Sequence, residues 1–271
     1  MSELDDLVEM AHAFSVLKAP ILRDAIRAMQ VPPGSRGLEA GCGIGLQALQ
    51  LAETVGAAGH VTGLDLSPAL LARAEELAAQ AGLSDRTHFQ EGDVRRLPFD
   101  NDTFDWAWSM DCVGYTPIEP LPLVKELARV VKPGGSVTVL AWSSEMLLPG
   151  YPRLEARLRA TAAGIAPFAI EMSPASHFLR ALGWFRDAGL VQPAARTLVG
   201  NAHAPLSDDL RRALTALFQM RWPAVTSELT PADQAAYQRL CLPESPDFIV
   251  DHPDYYAFFT YSMFQGRVPE G

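Results

Sequence analysis

Apolar residues recur at helical spacing through residues 4–29 (Leu4, Leu7, Val8, Ala11, Phe14), and Pro20 stands where one helix would close and the next open. Two short amphipathic helices are therefore expected ahead of the first strand. The period then changes. Residues 37–40 read as a buried strand running into a glycine cluster, and residues 46–55 as the helix that follows. A second strand over 61–66 ends at Ser67-Pro68, an N-cap followed by proline at the first helical position. That helix runs to Gln80 and stops at Gly82. Strands over 87–91 and 104–109, a helix over 121–130 and a strand over 136–142 continue the alternation. The turn Lys132-Pro133-Gly134-Gly135 is a sharp helix stop before the last of these strands.

Beyond Trp142 the rhythm is lost. Residues 146–172 are rich in Pro, Ala and aromatic side chains, and a helix returns only over 174–188, closed by Gly189. A strand over 191–199, helices over 207–222 and 231–240, and an aromatic strand over 255–264 complete the chain. Strands separated by helices predict a parallel sheet covered on both faces. At 271 residues, one core with an elaborated lid is the simplest organisation. Residues 1–34 are expected to be helices covering an active site and 35–145 the binding core. Residues 146–271 supply the rest of the sheet, with cap insertions at 146–172 and 203–250.

Charge narrows the partners. A formal net charge of −10 and a pI near 5.0 oppose a polyanionic ligand, so nucleic acid is not an expected substrate. The three cysteines, Cys42, Cys112 and Cys241, form no C-x-x-C pair, which suggests neither a disulfide framework nor a zinc ribbon and fits a reducing cytoplasm. The first residues are acidic, and no apolar run approaches the ~18 residues of a membrane span. A preference for Arg over Lys and an alanine-rich composition suit a high-GC bacterium.

The strongest local signal is Leu38-Glu39-Ala40-Gly41-Cys42-Gly43-Ile44-Gly45, a strand entering three alternating glycines and then a helix. Ligands of open parallel sheets sit beyond the carboxyl ends of the strands, where glycine lets backbone approach them closely. A nucleoside cofactor is the natural occupant. The spacing Gly43-x-Gly45-x-x-Ala48 also satisfies a dinucleotide-binding pattern, so the neighbouring acids must separate the two readings. Glu39, two residues before the first glycine, would repel a pyrophosphate but suits the amino-acid part of a cofactor with an uncharged linkage. Asp65, ending the second strand, is placed to accept from ribose hydroxyls. Asp93 is placed to accept from an adenine amino group while Val94 offers its N–H. Each also has a plainer reading: the glycines as turn geometry, Asp65 as a helix start, Cys42 as a small side chain packed in the loop, and Asp105 as a structural acid.

At these residues the chain resembles the class I S-adenosylmethionine-dependent methyltransferases, most of all the branch of the ubiquinone and menaquinone biosynthesis methyltransferases. The resemblance is carried by LEAGCGIG, by GLDLSP at 63–68, by EGDVRRLPFDNDTFDWAWSM at 91–110 and by LARVVKPGGSVTVLAW at 127–142. It implies an α/β fold: a doubly wound, Rossmann-like, seven-stranded sheet, mostly parallel with an antiparallel last strand, plus N-terminal helices and a helical cap. It implies S-adenosylmethionine as cofactor, S-adenosylhomocysteine as product, and cofactor contacts at Glu39, Gly41, Gly43, Asp65, Leu66, Asp93, Val94, Ser109 and Met110, with Cys42 in the same loop. It covers residues 35–143 and says much less about the rest.

Methyl transfer from a sulfonium is an in-line displacement, so alignment and exclusion of water supply much of the rate and a nucleophilic acceptor needs no base. A phenol or an activated carbon would use one. Asp111 and Tyr115, in the loop after the fourth strand, and His177 are the candidate catalytic groups. The loop lacks the Pro-Pro-aromatic run and the Pro-Cys nucleophile of DNA methyltransferases, and no Asp-Asn pair joins Asp111 for Mg²⁺, so no metal is expected. Phe14, Tyr151, Phe168, Met172, Trp184, Trp222 and Tyr255 are the candidate acceptor contacts, joined by Met146, Phe218 and Met220. They suit a small, largely apolar quinol, phenol or secondary metabolite bound by a monomer or homodimer. Two rivals stay open. One is a nicotinamide-dependent oxidoreductase, although only Lys18, Lys125 and Lys132 occur and no Tyr-x-x-x-Lys. The other is a non-catalytic S-adenosylmethionine-binding protein.

Overall fold

The computed structural model describes residues 3–114, 118–165, 173–223 and 228–270. The chain begins with one helix, α1 (Glu3–Met29), which runs straight through Pro20. Two helices were expected there. The correction has a physical reason: the buried side chains Phe14, Leu17, Ile21, Leu22, Ala25, Ile26 and Met29 stay in phase on one stripe across the proline. Burial of such side chains, each worth about 1.5–3 kcal/mol, outweighs the ~3 kcal/mol that an internal proline costs a helix.

The core then alternates as β1 (Arg36–Ala40), α2 (Leu46–Val55), β2 (His60–Asp65), α3 (Pro68–Gln80), β3 (Thr87–Glu91), β4 (Phe104–Met110), α4 (Pro120–Val130) and β5 (Val131–Met146). Helix α2 buries Ala48, Leu51, Ala52 and Val55, a single 3.6-period face. Helix α3 starts as its sequence indicates, with the Ser67 side chain accepting from the Leu70 N–H and Pro68 opening the first turn. Strand β5 is longer than the expected 136–142. Phe104 pairs with Val131 and Trp106 with Ser136, so residues 132–135 bulge out of the ladder. The bulge is held from the chain's end, where the Gly134 N–H donates to the Val268 carbonyl (2.9 Å) and the Val268 N–H to that of Gly135 (3.0 Å).

Next come α5 (Pro152–Arg159), the single turn α6 (Ala162–Ile165), α7 (Ala181–Asp187), β6 (Val191–His203), α8 (Asp208–Arg221), α9 (Pro231–Cys241) and β7 (Tyr256–Arg267). The expected helix over 174–188 is instead two 3₁₀ turns, Pro174–Ser176 and Phe178–Arg180, ahead of α7. His177 breaks it with extended backbone and caps the second turn through its own side chain.

The seven strands form one sheet in the order β3-β2-β1-β4-β5-β7-β6, six parallel and one antiparallel. β1 lies between β2 and β4, so chain order reverses there and the crevice beyond its carboxyl end is a ligand position. The chain divides into two compact units. The larger comprises Leu22–Trp142, Met172–Leu198 and Tyr261–Gly271, and its core is the sheet around the fully buried Trp106, Trp108 and Phe104. The smaller comprises Met1–Ile21, Ser143–Glu171 and Val199–Thr260. There Phe218 packs edge-on against Trp222 (5.3 Å) and Phe248 (5.7 Å), and Arg221 pairs with Glu145 at 2.8 Å, both buried. Among the described residues no helix is long and apolar enough to cross a membrane.

Candidate active site

The glycine loop leaves β1 and folds back over β2. The amides of Gly41 and Cys42 both donate to the Leu64 carbonyl (2.8 and 3.0 Å), and the Gly45 N–H closes the loop on the Cys42 carbonyl (2.9 Å). All three glycines take positive φ, +80, +52 and +75°. Two are glycine because protein crowds them: a Cβ on Gly41 would lie 2.5 Å from Cys112 Sγ, and one on Gly45 2.8 Å from the Phe89 ring. Gly43 differs, since no atom of the described residues lies within 4 Å of where its Cβ would be. Its backbone is open to a ligand.

Asp65, half-buried at the end of β2, holds this loop. Its Oδ2 accepts the Gly43 N–H at 2.8 Å and its Oδ1 the Ser67 N–H at 3.0 Å, tying the loop to the start of α3. Glu39 lies beneath, 1 % exposed, with the Ala48 N–H bearing on its carboxyl and no partner for Oε2 among the described residues. Burial foremost, and then the nearby Asp65, push its carboxyl well above the usual carboxylate range. Burial likewise raises the Cys42 thiol, and the Cys112 thiol to about 11, so neither is a thiolate nucleophile at neutral pH.

The other expected cofactor positions differ in kind. Leu66 is 61 % exposed, a large apolar side chain facing out directly after Asp65. Val94 is half-buried. The Asp93 carboxylate is engaged by the Arg95 N–H (2.8 Å) and Nε (2.7 Å), which hold it below its usual range. Ser109 is fully buried, donating to the Ala40 carbonyl (2.9 Å) and accepting the Val113 N–H (3.2 Å); its side chain bolts β4 to β1 below the loop. Met110 Sδ meets Gln47 Nε2 at 3.9 Å. Asp105 takes the Arg36 N–H and Lys132 Nζ, both at 2.7 Å, as befits a structural acid.

Asp111 follows β4 with φ +54°, an unusual conformation for a non-glycine residue. Oδ1 accepts the Trp142 N–H (3.2 Å) and Oδ2 the hydroxyl of the fully buried Tyr261 (2.8 Å). Sequence reading missed Tyr261 because it lies 150 residues away with nothing local to mark it. Tyr115, Phe168 and Met172 lie outside the described residues. His177 is exposed and its Nδ1 accepts the Leu179 N–H (3.2 Å). Trp184 is buried, donating to the Ala175 carbonyl (2.8 Å). In the smaller unit Phe14 is buried on α1, Tyr151 is the half-buried N-cap of α5, and the buried Tyr255 hydroxyl reaches the Leu147 carbonyl (3.3 Å). Trp222 is fully buried there, with no partner for its Nε1 among the described residues. No cluster of His, Cys, Asp or Glu among the described residues is arranged to hold a metal ion.

Residues 38–135, which span this loop and the three acids, match the family described as methyltransferase domain. That stretch of the chain is a methyltransferase domain. Over 131 residues it is 37% identical to a demethylmenaquinone methyltransferase of Lysinibacillus sphaericus, covering 48% of this chain and 54% of that protein. Over 118 residues it is 38% identical to a probable chloroplastic tocopherol O-methyltransferase of Oryza sativa, covering 44% of this chain and 32% of that one. The chain thus spans from about a third to about half the length of these curated relatives. Among solved structures the cyclase SpnF shares the fold, with a TM-score of 0.54 and 22% identity over 93% of this chain and 82% of its own. The family match ends at residue 135 and leaves the smaller unit's segments at 143–171 and 199–260 uncovered.

Proposed function

We propose that the protein transfers a methyl group from S-adenosylmethionine to a small, largely apolar acceptor. One observation carries this reading: among the described residues a buried carboxyl oxygen, Glu39 Oε2, has no partner, and it lies beneath a glycine loop whose Gly43 faces open space. Such an oxygen fits a donor or cation from a ligand and disfavours a pyrophosphate. The relatives named as demethylmenaquinone and tocopherol methyltransferases support an apolar acceptor.

When bound, S-adenosylmethionine supplies a methyl group made electrophilic by its sulfonium. In this proposal Glu39 holds the cofactor's amino-acid end, and Asp65 turns its remaining lone pairs to the ribose. Leu66 and Val94 flank the adenine, with Asp93 at its amino group, and the backbone of Gly41 through Gly43 and the end of β4 at Met110 complete the cradle. Asp111, Tyr115 and His177 are the proposed proton acceptors for a hydroxyl acceptor, and a thiol, amine or enolate would need none. A bacterial cytoplasm is the proposed setting.

The test is methyl uptake from labelled S-adenosylmethionine with a panel of quinols, phenols, thiols and amines. Transfer with formation of S-adenosylhomocysteine is expected for one of these classes. Cofactor bound by the protein whose label never moves to any of them would overturn transfer in favour of non-catalytic binding.

A further inference from the structure

Three fully buried polar atoms in the larger unit have no partner among the described residues: Glu39 Oε2, Trp108 Nε1 and Thr138 Oγ1. The strand registers set them side by side. Glu39 is opposite Trp108 across β1 and β4, and Trp108 is opposite Thr138 across β4 and β5. Laterally paired residues leave a sheet on the same face, so the three side chains form one row. On its other flank Glu39 faces Gly63, which offers no side chain. The groups that bear on Glu39 are Asp65 from the end of β2, the Cys42 and Cys112 thiols of the two loops, and the Ala48 N–H of α2. None of these is a cation. An ionised Glu39 would thus be a buried charge with an orphan oxygen, a single backbone N–H bearing on it and a second carboxylate nearby, a costly arrangement that protonation relieves.

We propose that Glu39 carries a proton in the ligand-free protein and gives it up when the ammonium of an S-adenosyl ligand engages the glycine loop, so that binding releases one proton and the site selects for that positive charge. This deepens the cofactor reading given above and rests on it. The exchange balances: a neutral acid and the ligand's ammonium group become a carboxylate–ammonium pair, and the proton of the acid passes to solvent. Along the row the Trp108 indole can only donate, whereas the Thr138 hydroxyl both donates and accepts.

The test is calorimetric titration of the full chain with S-adenosylhomocysteine in buffers of different ionisation enthalpy, between roughly pH 5 and pH 7, where the ligand's α-amino group stays protonated. Expected are close to one proton released per ligand and an affinity rising up to about tenfold per pH unit. 5′-Methylthioadenosine, which lacks the amino-acid end, should release none, and Glu39→Gln should bind with no pH dependence of this kind. In the ligand-free protein, infrared spectra should show a carboxylic-acid band that Glu39→Gln lacks and that S-adenosylhomocysteine erases. Binding of S-adenosylhomocysteine without proton release, or an acid band unaffected by Glu39→Gln, overturns this proposal and leaves the cofactor site standing. No binding of either nucleoside at any pH overturns the cofactor site itself and, with it, the proposal.

Discussion

Replacing Asp65 by alanine removes the clasp that holds the glycine loop. Two backbone donors lose their acceptor, the Gly43 N–H at 2.8 Å and the Ser67 N–H at 3.0 Å. A hydrogen bond to a charged group is worth about 1.5–3 kcal/mol. Asp65 is half-buried, so the lower end applies to each, and the two together come to about 3 kcal/mol. At about 2–4 °C per kcal/mol for a chain of this length, the melting temperature should fall by about 6–12 °C. Cofactor binding should suffer as well, because Gly43 is no longer held at φ +52° and the carboxylate's remaining lone pairs are lost to the ribose. An increase in Kd of about 10- to 100-fold, or about 1.4–2.7 kcal/mol, is expected. Asp65→Asn keeps one acceptor oxygen and should lose about half of the stability. Scanning calorimetry and titration with S-adenosylmethionine read the two effects separately. A melting temperature within about 2 °C of the parent together with unchanged affinity would refute the reasoning, since Gly43 and Ser67 would then be satisfied without Asp65.

Gly45→Ala combines a φ of +75° with a Cβ 2.8 Å from Phe89, so a loss of about 2–5 kcal/mol is expected in urea unfolding. Tyr261→Phe removes the 2.8 Å bond to Asp111 and should cost about 1.5–3 kcal/mol, with turnover falling more than cofactor affinity; equal losses in both would speak against a role at the turn after β4. Glu145→Ala leaves Arg221 charged and buried in the smaller unit, a loss of about 3–5 kcal/mol by thermal or chemical melts. Burial raises the Glu39 carboxyl, so above the unfolded carboxylate range the folded state binds more protons than the unfolded state, and stability declines as pH rises toward the folded value. Glu39→Gln removes that decline, so its melting temperature should gain on the parent as pH rises above the usual carboxylate range, and a constant difference would contradict the assignment.

What sequence could reveal followed from how local the signal was. The glycine loop, the N-cap Ser67 with Pro68 and the acids at three strand ends are each decided within a few residues, and α2, α3 and β3 lie where those signals put them. Pro20 misled because its local penalty is plain in sequence whereas the buried stripe that overrides it is tertiary, although that stripe's unbroken phase from Phe14 to Met29 was a usable signal. The 174–188 segment has helical apolar spacing, but the His177 and Ser173 side chains compete for its backbone amides. Ser109 and Asp93 sit where cofactor contacts were expected; the Ser109 hydroxyl bonds to the Ala40 carbonyl, 69 residues away and supplied only by the folded chain, whereas Asp93 bonds to Arg95, two residues on. The row formed by Glu39, Trp108 and Thr138 depends on strand register, and the Tyr261 to Asp111 bond on a pairing 150 residues long, so neither is written in any local pattern.

The shared fold of the cyclase SpnF shows that architecture alone does not decide chemistry, so cofactor choice is the point on which the reading stands or falls. Calorimetric titration of the purified protein with S-adenosylmethionine, S-adenosylhomocysteine, NADH and NADPH tests it directly. Micromolar binding of the first two and none of the nicotinamides is the expected result. Binding of NADH or NADPH in their place would contradict the role given to Glu39 and move the protein among the reductases.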